Sequence, residues 1–153
     1  MKKILITGIS GQDGVFLTKY ILEKNPNLNI IGISRSNPRN SIFRNLKYLG
    51  FLNFENIDIY NLNLEDKNTV SNFIYDINPD IVFNLSGPSS VYKSFEKNHN
   101  KESIINIFNN LTSAFIERKS FPRFFQASSS EMFGTNKNSL HEDSPFNPNS
   151  PYA

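Results

Sequence analysis

The run Lys-Ile-Leu-Ile-Thr-Gly-Ile-Ser-Gly-Gln-Asp-Gly at residues 3–14 constrains this chain more than any other stretch. Ile4, Leu5 and Ile6 form a short apolar run of the kind that makes a buried strand. Gly8, Gly11 and Gly14 follow at three-residue spacing. Val15, Phe16, Leu17, Tyr20, Ile21 and Leu22 then recur with helical period. A strand, a glycine turn and a helix start together suit the pyrophosphate of a dinucleotide. Glycine lets the backbone turn tightly and approach the phosphates, while free N–H groups and the helix dipole attract negative charge. Gly8, Gly11, Gln12, Asp13 and Gly14 are therefore candidate cofactor contacts. The spacing is G-x-x-G-x-x-G, not the more usual G-x-G-x-x-G. Glycines also occur in plain strand-to-helix turns, so the flanking strand and helix carry the nucleotide-binding expectation.

The rest of the chain repeats the alternation. Residues 29–34 predict a second strand, 41–49 a helix with Ile42, Phe43, Leu46 and Leu49 on one face, and 57–60 a weaker strand. Residues 65–77 predict a helix through Val70, Phe73, Ile74 and Ile77, stopped by Pro79. A strand over 81–85 and a helix over roughly 101–118 follow, the latter carrying Ile104, Ile105, Phe108, Leu111 and Phe115. A fifth strand spans 124–127. Beyond Gly134 the chain is polar and proline-spaced, an ordered loop at most. Strands alternating with helices predict an α/β fold, a Rossmann-like doubly wound parallel sheet of about five strands, since right-handed crossovers permit little else.

In such sheets ligands sit beyond the carboxyl ends of the strands. The glycine turn, Ser34-Arg35-Ser36, Asn63, the 86–90 loop and Ser128-Ser129-Ser130-Glu131 each follow a strand, so they are expected on one rim. About twenty residues past the glycines an NAD site usually places an acid on the ribose hydroxyls. Here that position has no carboxylate but Arg35, and a guanidinium suits a 2′-phosphate. NADP is therefore preferred over NAD, the alternative being a solvated arginine with loose selectivity. Asn63 could hydrogen-bond the adenine or simply form a turn. Leu85, Ser86 and Ser89 complete the candidate cofactor contacts.

Composition narrows the setting. The net charge of +2 is too small to advertise a nucleic-acid or membrane surface. The chain has no cysteine, which excludes disulfides and thiolate metal sites and fits a reducing cytoplasm. No stretch reaches membrane-spanning length, and no metal site is expected. His99 and His141 fall in polar loops, more in keeping with exposure than with catalysis.

The segments Gly-Ile-Ser-Gly-Gln-Asp-Gly at 8–14, Phe-Asn-Leu-Ser-Gly-Pro-Ser-Ser-Val at 83–91, Phe-Gln-Ala-Ser-Ser-Ser-Glu-Met-Phe-Gly at 125–134 and Ser-Pro-Tyr-Ala at 150–153 resemble the GDP-mannose 4,6-dehydratase family of extended short-chain dehydrogenase/reductases. The likeness runs through the whole chain in order. The related dTDP-glucose dehydratases carry an Asp immediately before the catalytic Glu; this chain has Ser130 there, as GDP-mannose dehydratases do. The resemblance implies a hydro-lyase that binds GDP-mannose and NADP in the cytoplasm, with a homo-oligomer as the full-length form. Hydride from C4 of the mannose would pass to the cofactor, water would leave across C5 and C6, and the hydride would return to C6.

On this resemblance Tyr152 would deprotonate the C4 hydroxyl. Glu131 would take the C5 proton and protonate the leaving hydroxyl. Ser129, in place of the family's usual Thr, would hydrogen-bond the C4 oxygen. Ser89 and Ser90 would donate near the sugar or nicotinamide, although Ser90 replaces an expected His and Pro88 an expected Gln. Taken singly, a serine run after a strand is more often a turn or helix cap, Glu131 a solvated carboxylate, and Tyr152 without meaning; the combination favours function.

The sequence ends at Ala153, before the Lys that the family places four residues after the tyrosine. The expectation is an incomplete nucleotide-binding domain over residues 1–153, without the substrate domain, that alone binds NADP weakly if at all and does not turn over GDP-mannose. The fifth strand is expected to be an exposed, apolar edge. Alternatives from the residues are another sugar-nucleotide epimerase or dehydratase, or a non-catalytic dinucleotide-binding or interaction domain.

Overall fold

Strand β1, Lys3–Thr7, sits at the centre of the sheet because both of its faces are apolar. Side chains alternate across a strand, and here each side meets its own layer of helices. Ile4 and Ile6 pack with Val15 and Leu22 of helix α1 (Gln12–Lys24) and with Ile42 and Leu46 of helix α2 (Arg39–Tyr48). Leu5 packs on the other side with Val70 and Ile74 of α3 (Lys67–Ile77). The computed structural model describes residues 2–35, 39–96, 102–135 and 139–153.

The remaining strands are β2 (Asn29–Ser34), β3 (Ile57–Asn61), β4 (Ile81–Asn84) and β5 (Arg123–Gln126), all parallel and ordered β3-β2-β1-β4-β5. A short helix α4 (Val91–Ser94) precedes the long α5 (Ser103–Arg118), whose Ile107, Leu111 and Phe115 join the Leu5 layer. Helices on both faces make this a Rossmann-like fold of the expected kind. Leu5 is fully buried, and trimming such a side chain to alanine typically costs about 2–5 kcal/mol.

Winding outward from β1 in both directions creates a switch point between β1 and β4, where adjacent loops diverge to opposite faces and leave a crevice. Sharp local chemistry sets the helix bounds. Asp66 caps α3 by accepting from the Thr69 N–H at 3.1 Å, so that helix starts at Lys67, two residues later than its periodicity predicts. Asn78 ends it in the left-handed conformation before Pro79. The sequence pattern also misses α4, which Ser90 starts with a side-chain cap to the Lys93 N–H, and a 3-10 turn at Ser130–Phe133.

Two helix faces differ from the expected ones. In α1, Phe16 and Tyr20 are exposed, and Thr18 takes a buried position by donating to the Gly14 carbonyl at 2.7 Å. In α5, Ile105 and Phe108 are exposed, and the buried stripe instead runs Ser103, Ile107, Leu111, Ala114 and Phe115. Apolar residues surround both helices, so period alone does not choose the inner face. Ser36, His99 and position 101 lie outside the described residues. Among the described residues no helix is long and apolar enough to cross a membrane, and no cluster of His, Asp and Glu could hold a metal ion.

Candidate functional site

The crevice at the switch point is a cleft of about 500 Å³. Its floor is the glycine turn. Gly8 adopts φ +68°, where a Cβ would stand 2.9 Å from the Leu85 carbonyl oxygen. Gly14 packs so closely that a Cβ would meet Ile9 Cα at 2.6 Å and the Gly8 carbonyl oxygen at 2.7 Å. Neither position accepts a side chain without the backbone moving. The turn is closed by Gly11 N–H donating to the Gly8 carbonyl at 2.9 Å, and anchored to β2 by Ile9 N–H donating to the Ile33 carbonyl at 3.3 Å. Gly11 then starts α1 with no side-chain cap on its first turn. The positive end of that helix therefore opens into the cleft, with Gln12 and Asp13 at its lip.

The other strand ends supply the walls. Gly8, Gly11, Gln12, Asp13 and Gly14 share the cleft with Arg35 after β2, Asn63 after β3, and Leu85, Ser86 and Ser89 after β4. Arg35 is exposed and pairs with no carboxylate among the described residues. Asn63 already accepts from the Glu65 N–H at 3.1 Å through its Oδ1, so it forms a turn within the cleft wall. Ser10 and Ser34, both lining the cleft, join hydroxyl to hydroxyl at 3.0 Å beside Arg35.

A second hollow, also about 500 Å³, adjoins the first and shares Asp13, Leu85, Ser86, Gly87 and Ser89 with it. Ser129 and Tyr152 both line it. Glu131 does not; it is partly buried one residue before Met132, which does line the hollow, and its N–H donates to Ser129 Oγ at 3.2 Å. Ser90 lines neither hollow and is engaged as the cap of α4. Ile104, Ile105 and Phe108, expected in the core, instead form an apolar wall here. His141 is exposed, with Nδ1 accepting from the Asp143 N–H at 3.3 Å.

Beneath both hollows runs a polar chain that the sequence pattern does not single out. Thr7, Asn84 and Gln126 are register partners at the ends of β1, β4 and β5. Thr7 donates to Asn84 Oδ1 at 2.5 Å and accepts from the N–H groups of Leu85 and Ser86, each at 3.2 Å. Asn84 donates to Gln126 Oε1 at 2.7 Å, and Gln126 donates to the Ala127 carbonyl at 2.7 Å. Polar residues ending otherwise apolar strands are the signal that could have marked them.

An open parallel sheet with an uncapped glycine turn at its switch point defines a Rossmann-type nucleotide-binding domain. The family profile described as GDP-mannose 4,6 dehydratase matches residues 5–153, and the chain belongs to that family. GDP-mannose 4,6 dehydratase 1 of Arabidopsis thaliana is 33% identical, over 99% of this chain and 44% of that protein. The GDP-mannose 4,6-dehydratase of Yersinia enterocolitica is 32% identical, over 100% of this chain and 42% of its own length. The chain thus spans less than half the length of these relatives. Among solved structures, a UDP-glucuronic acid 4-epimerase from Bacillus cereus in complex with UDP-glucuronic acid and NAD matches with TM-score 0.77 and 25% identity, over 98% of this chain and 47% of that one. A dTDP-glucose 4,6-dehydratase from Bacillus anthracis in complex with NAD shares the fold at TM-score 0.77 and 18% identity, over 99% of this chain and 46% of that one.

Proposed function

We propose that the chain forms the nicotinamide-dinucleotide site of a GDP-mannose 4,6-dehydratase, a hydro-lyase acting in the cytoplasm, and that the dinucleotide is NADP. The observation that carries this is the glycine cradle: the positions of Gly8 and Gly14 exclude any Cβ, and the uncapped start of α1 faces the same cleft. A cradle of that shape fits a pyrophosphate, whose charge is met by backbone N–H groups and the helix dipole. Arg35, with the Ser10–Ser34 hydroxyl pair beside it, supports a ribose 2′-phosphate. A bound nicotinamide would accept the C4 hydride and return it to C6.

The residues of the second hollow would do the proton work on the sugar. Tyr152 would take the proton of the C4 hydroxyl while Ser129 hydrogen-bonds that oxygen. Glu131 would remove the C5 proton and deliver a proton to the C6 hydroxyl as it leaves as water. For Glu131 to reach C5 its side chain must turn toward the hollow that Ser129 lines. Ile104, Ile105 and Phe108 would give the sugar an apolar wall to lie against.

The test replaces the matching part of the Arabidopsis relative with residues 2–153 and assays GDP-mannose dehydration. Activity in the chimera, lowered roughly 10²–10⁴-fold by Glu131→Gln with dinucleotide affinity unchanged, is the expected result. A folded chimera that binds the dinucleotide but is insensitive to Glu131→Gln would overturn the assignment of Glu131. One that binds no dinucleotide would overturn the site itself.

A further inference from the structure

The approach of Gly134 to Asn147 has no counterpart among the residues assigned so far. Gly134 adopts φ +61°, and a Cβ there would overlap the carbonyl oxygen of Asn147. The Asn147 N–H donates to the Met132 carbonyl at 2.9 Å, and the Gly134 N–H donates to the Glu131 carbonyl at 3.0 Å. Phe133 and Phe146 meet beside this contact, ring centroids 5.5 Å apart. The Asn149 side chain adds a bond to Thr135 Oγ1 at 3.2 Å. The polar, proline-spaced tail is thus fastened along its middle to the turn that carries Ser129 and Glu131.

Beyond the fastening, the tail turns back into the second hollow. The Ala153 N–H donates to Ser150 Oγ at 3.0 Å, closing a turn around Tyr152. Tyr152 and Ala153 both line the hollow, although no helix or strand includes either residue. A loop orders only as well as the contacts that hold it. Here those contacts join Phe146, Asn147 and Asn149, three to six residues before the tyrosine, to Met132, Phe133, Gly134 and Thr135 at the end of the serine turn.

We infer that Gly134, Phe133 and Phe146 are positioning residues that fasten the tail to the serine turn and so hold Tyr152 in the hollow that Ser129 lines. Glycine is required at 134 because only a residue without a Cβ lets the Asn147 carbonyl seat over it. The ring pair works without that close fit and adds to it, so each contact can be tested apart from the other. The inference deepens the proposed role of Tyr152, but its test measures where the tail sits and needs no cofactor or sugar.

The chain has no cysteine, so one introduced thiol is a clean reporter. Ala153→Cys reports on the tail, and Ala114→Cys, buried in α5, reports on opening of the domain as a whole. Rates of labelling by a soluble thiol reagent are compared for each probe in the parent, Gly134→Ala, Phe146→Ala and Phe146→Tyr backgrounds. Expected are increases at position 153 of roughly tenfold in Gly134→Ala and Phe146→Ala. Position 114 stays within about twofold, and Phe146→Tyr, which keeps a ring, restores slow labelling at 153. Unchanged rates at 153 in both Gly134→Ala and Phe146→Ala overturn the inference. Equal acceleration at both probes overturns it too, since the contacts would then support the whole fold. If only the dehydratase role of Tyr152 is mistaken, the labelling pattern stands while Tyr152→Phe leaves the activity of the chimera unchanged.

Discussion

The hydroxyl of Thr7 donates to Oδ1 of Asn84 at 2.5 Å, joining the ends of the two strands between which the winding of the sheet reverses. Thr7 is wholly buried and Asn84 nearly so. The same oxygen of Thr7 receives the Leu85 and Ser86 N–H groups, so one side chain fixes the start of a loop that lines both hollows. Thr7→Val keeps the shape but strands these partners. Of these partners only Asn84 is buried, and one buried polar group left without a partner costs about 1–3 kcal/mol, so urea unfolding should show a loss in that range. Thr7→Ser, which keeps the oxygen, should lose less. A valine variant as stable as the parent would show that water or rearrangement replaces the bonds.

The glycines of the turn should separate into those that serve packing and those that serve the ligand. At Gly14 an added Cβ presses on Ile9 and Gly8 backbone, so Gly14→Ala should lower stability by about 1–3 kcal/mol, the usual cost of overpacking. At Gly11 the backbone is already extended, φ −70° and ψ 166°, and a Cβ would meet only the Gly8 carbonyl, at 3.2 Å. Gly11→Ala should therefore unfold near the parent's midpoint yet lose dinucleotide binding by roughly tenfold or more, because the methyl occupies the phosphate approach. Calorimetry beside a binding titration checks both. Equal stability losses in the two variants would contradict the division.

Arg35→Ala tests the proposed choice of cofactor. A guanidinium on a 2′-phosphate forms charge-assisted hydrogen bonds of about 1.5–3 kcal/mol, equivalent to roughly a tenfold to hundredfold loss in NADPH affinity. NADH affinity should change little. Fluorescence titration with both nucleotides decides, and equal losses for the two would remove the 2′-phosphate from Arg35.

Asp66 gives the described residues a sign for pH dependence. Its carboxylate accepts from the Thr69 N–H, which holds it below the ordinary carboxylate range against a small opposing effect of burial. A lowered value in the folded state means that the unfolded chain takes up the proton first as pH falls. The cap's contribution is therefore present above the unfolded value, near 4, and is lost as pH drops through the folded one. Asp66→Asn keeps a capping oxygen but cannot titrate. Thermal unfolding of parent and variant should differ above about pH 4 and converge toward pH 2; a difference independent of pH would assign the effect to geometry alone.

Much of the fold and a large share of the site are legible in the sequence because the strands obey a simple rule. Ile4-Leu5-Ile6, Ile30-Ile31 and Ile81-Val82 are apolar on consecutive positions, which only a sheet covered on both faces requires. Once the winding is known, every strand end falls on one rim, and Gly11, Arg35 and Ser129 are brought there without further information. What stays hidden depends on which of several equivalent side chains faces inward. Phe16 and Ile105 look like core residues by period, yet Thr18 and Ser103 take the buried positions because each satisfies its hydroxyl, Thr18 on the Gly14 carbonyl and Ser103 on Glu65. The Thr7–Asn84–Gln126 chain joins residues that are distant in sequence and is fixed only by strand register. The fastening of the tail is equally illegible, since nothing in Phe146-Asn147 announces a partner at Phe133-Gly134.

The two outer margins of the sheet differ in character. β3 presents Asp58, Tyr60 and Asn61 to solvent, a polar margin with a charge that discourages further strand addition. β5 has a neighbour on one side only among the described residues, and its Phe125 is 54% exposed. Two residues earlier on the same side of β5 stands the exposed Arg123, so whatever seats against Phe125 also meets a guanidinium.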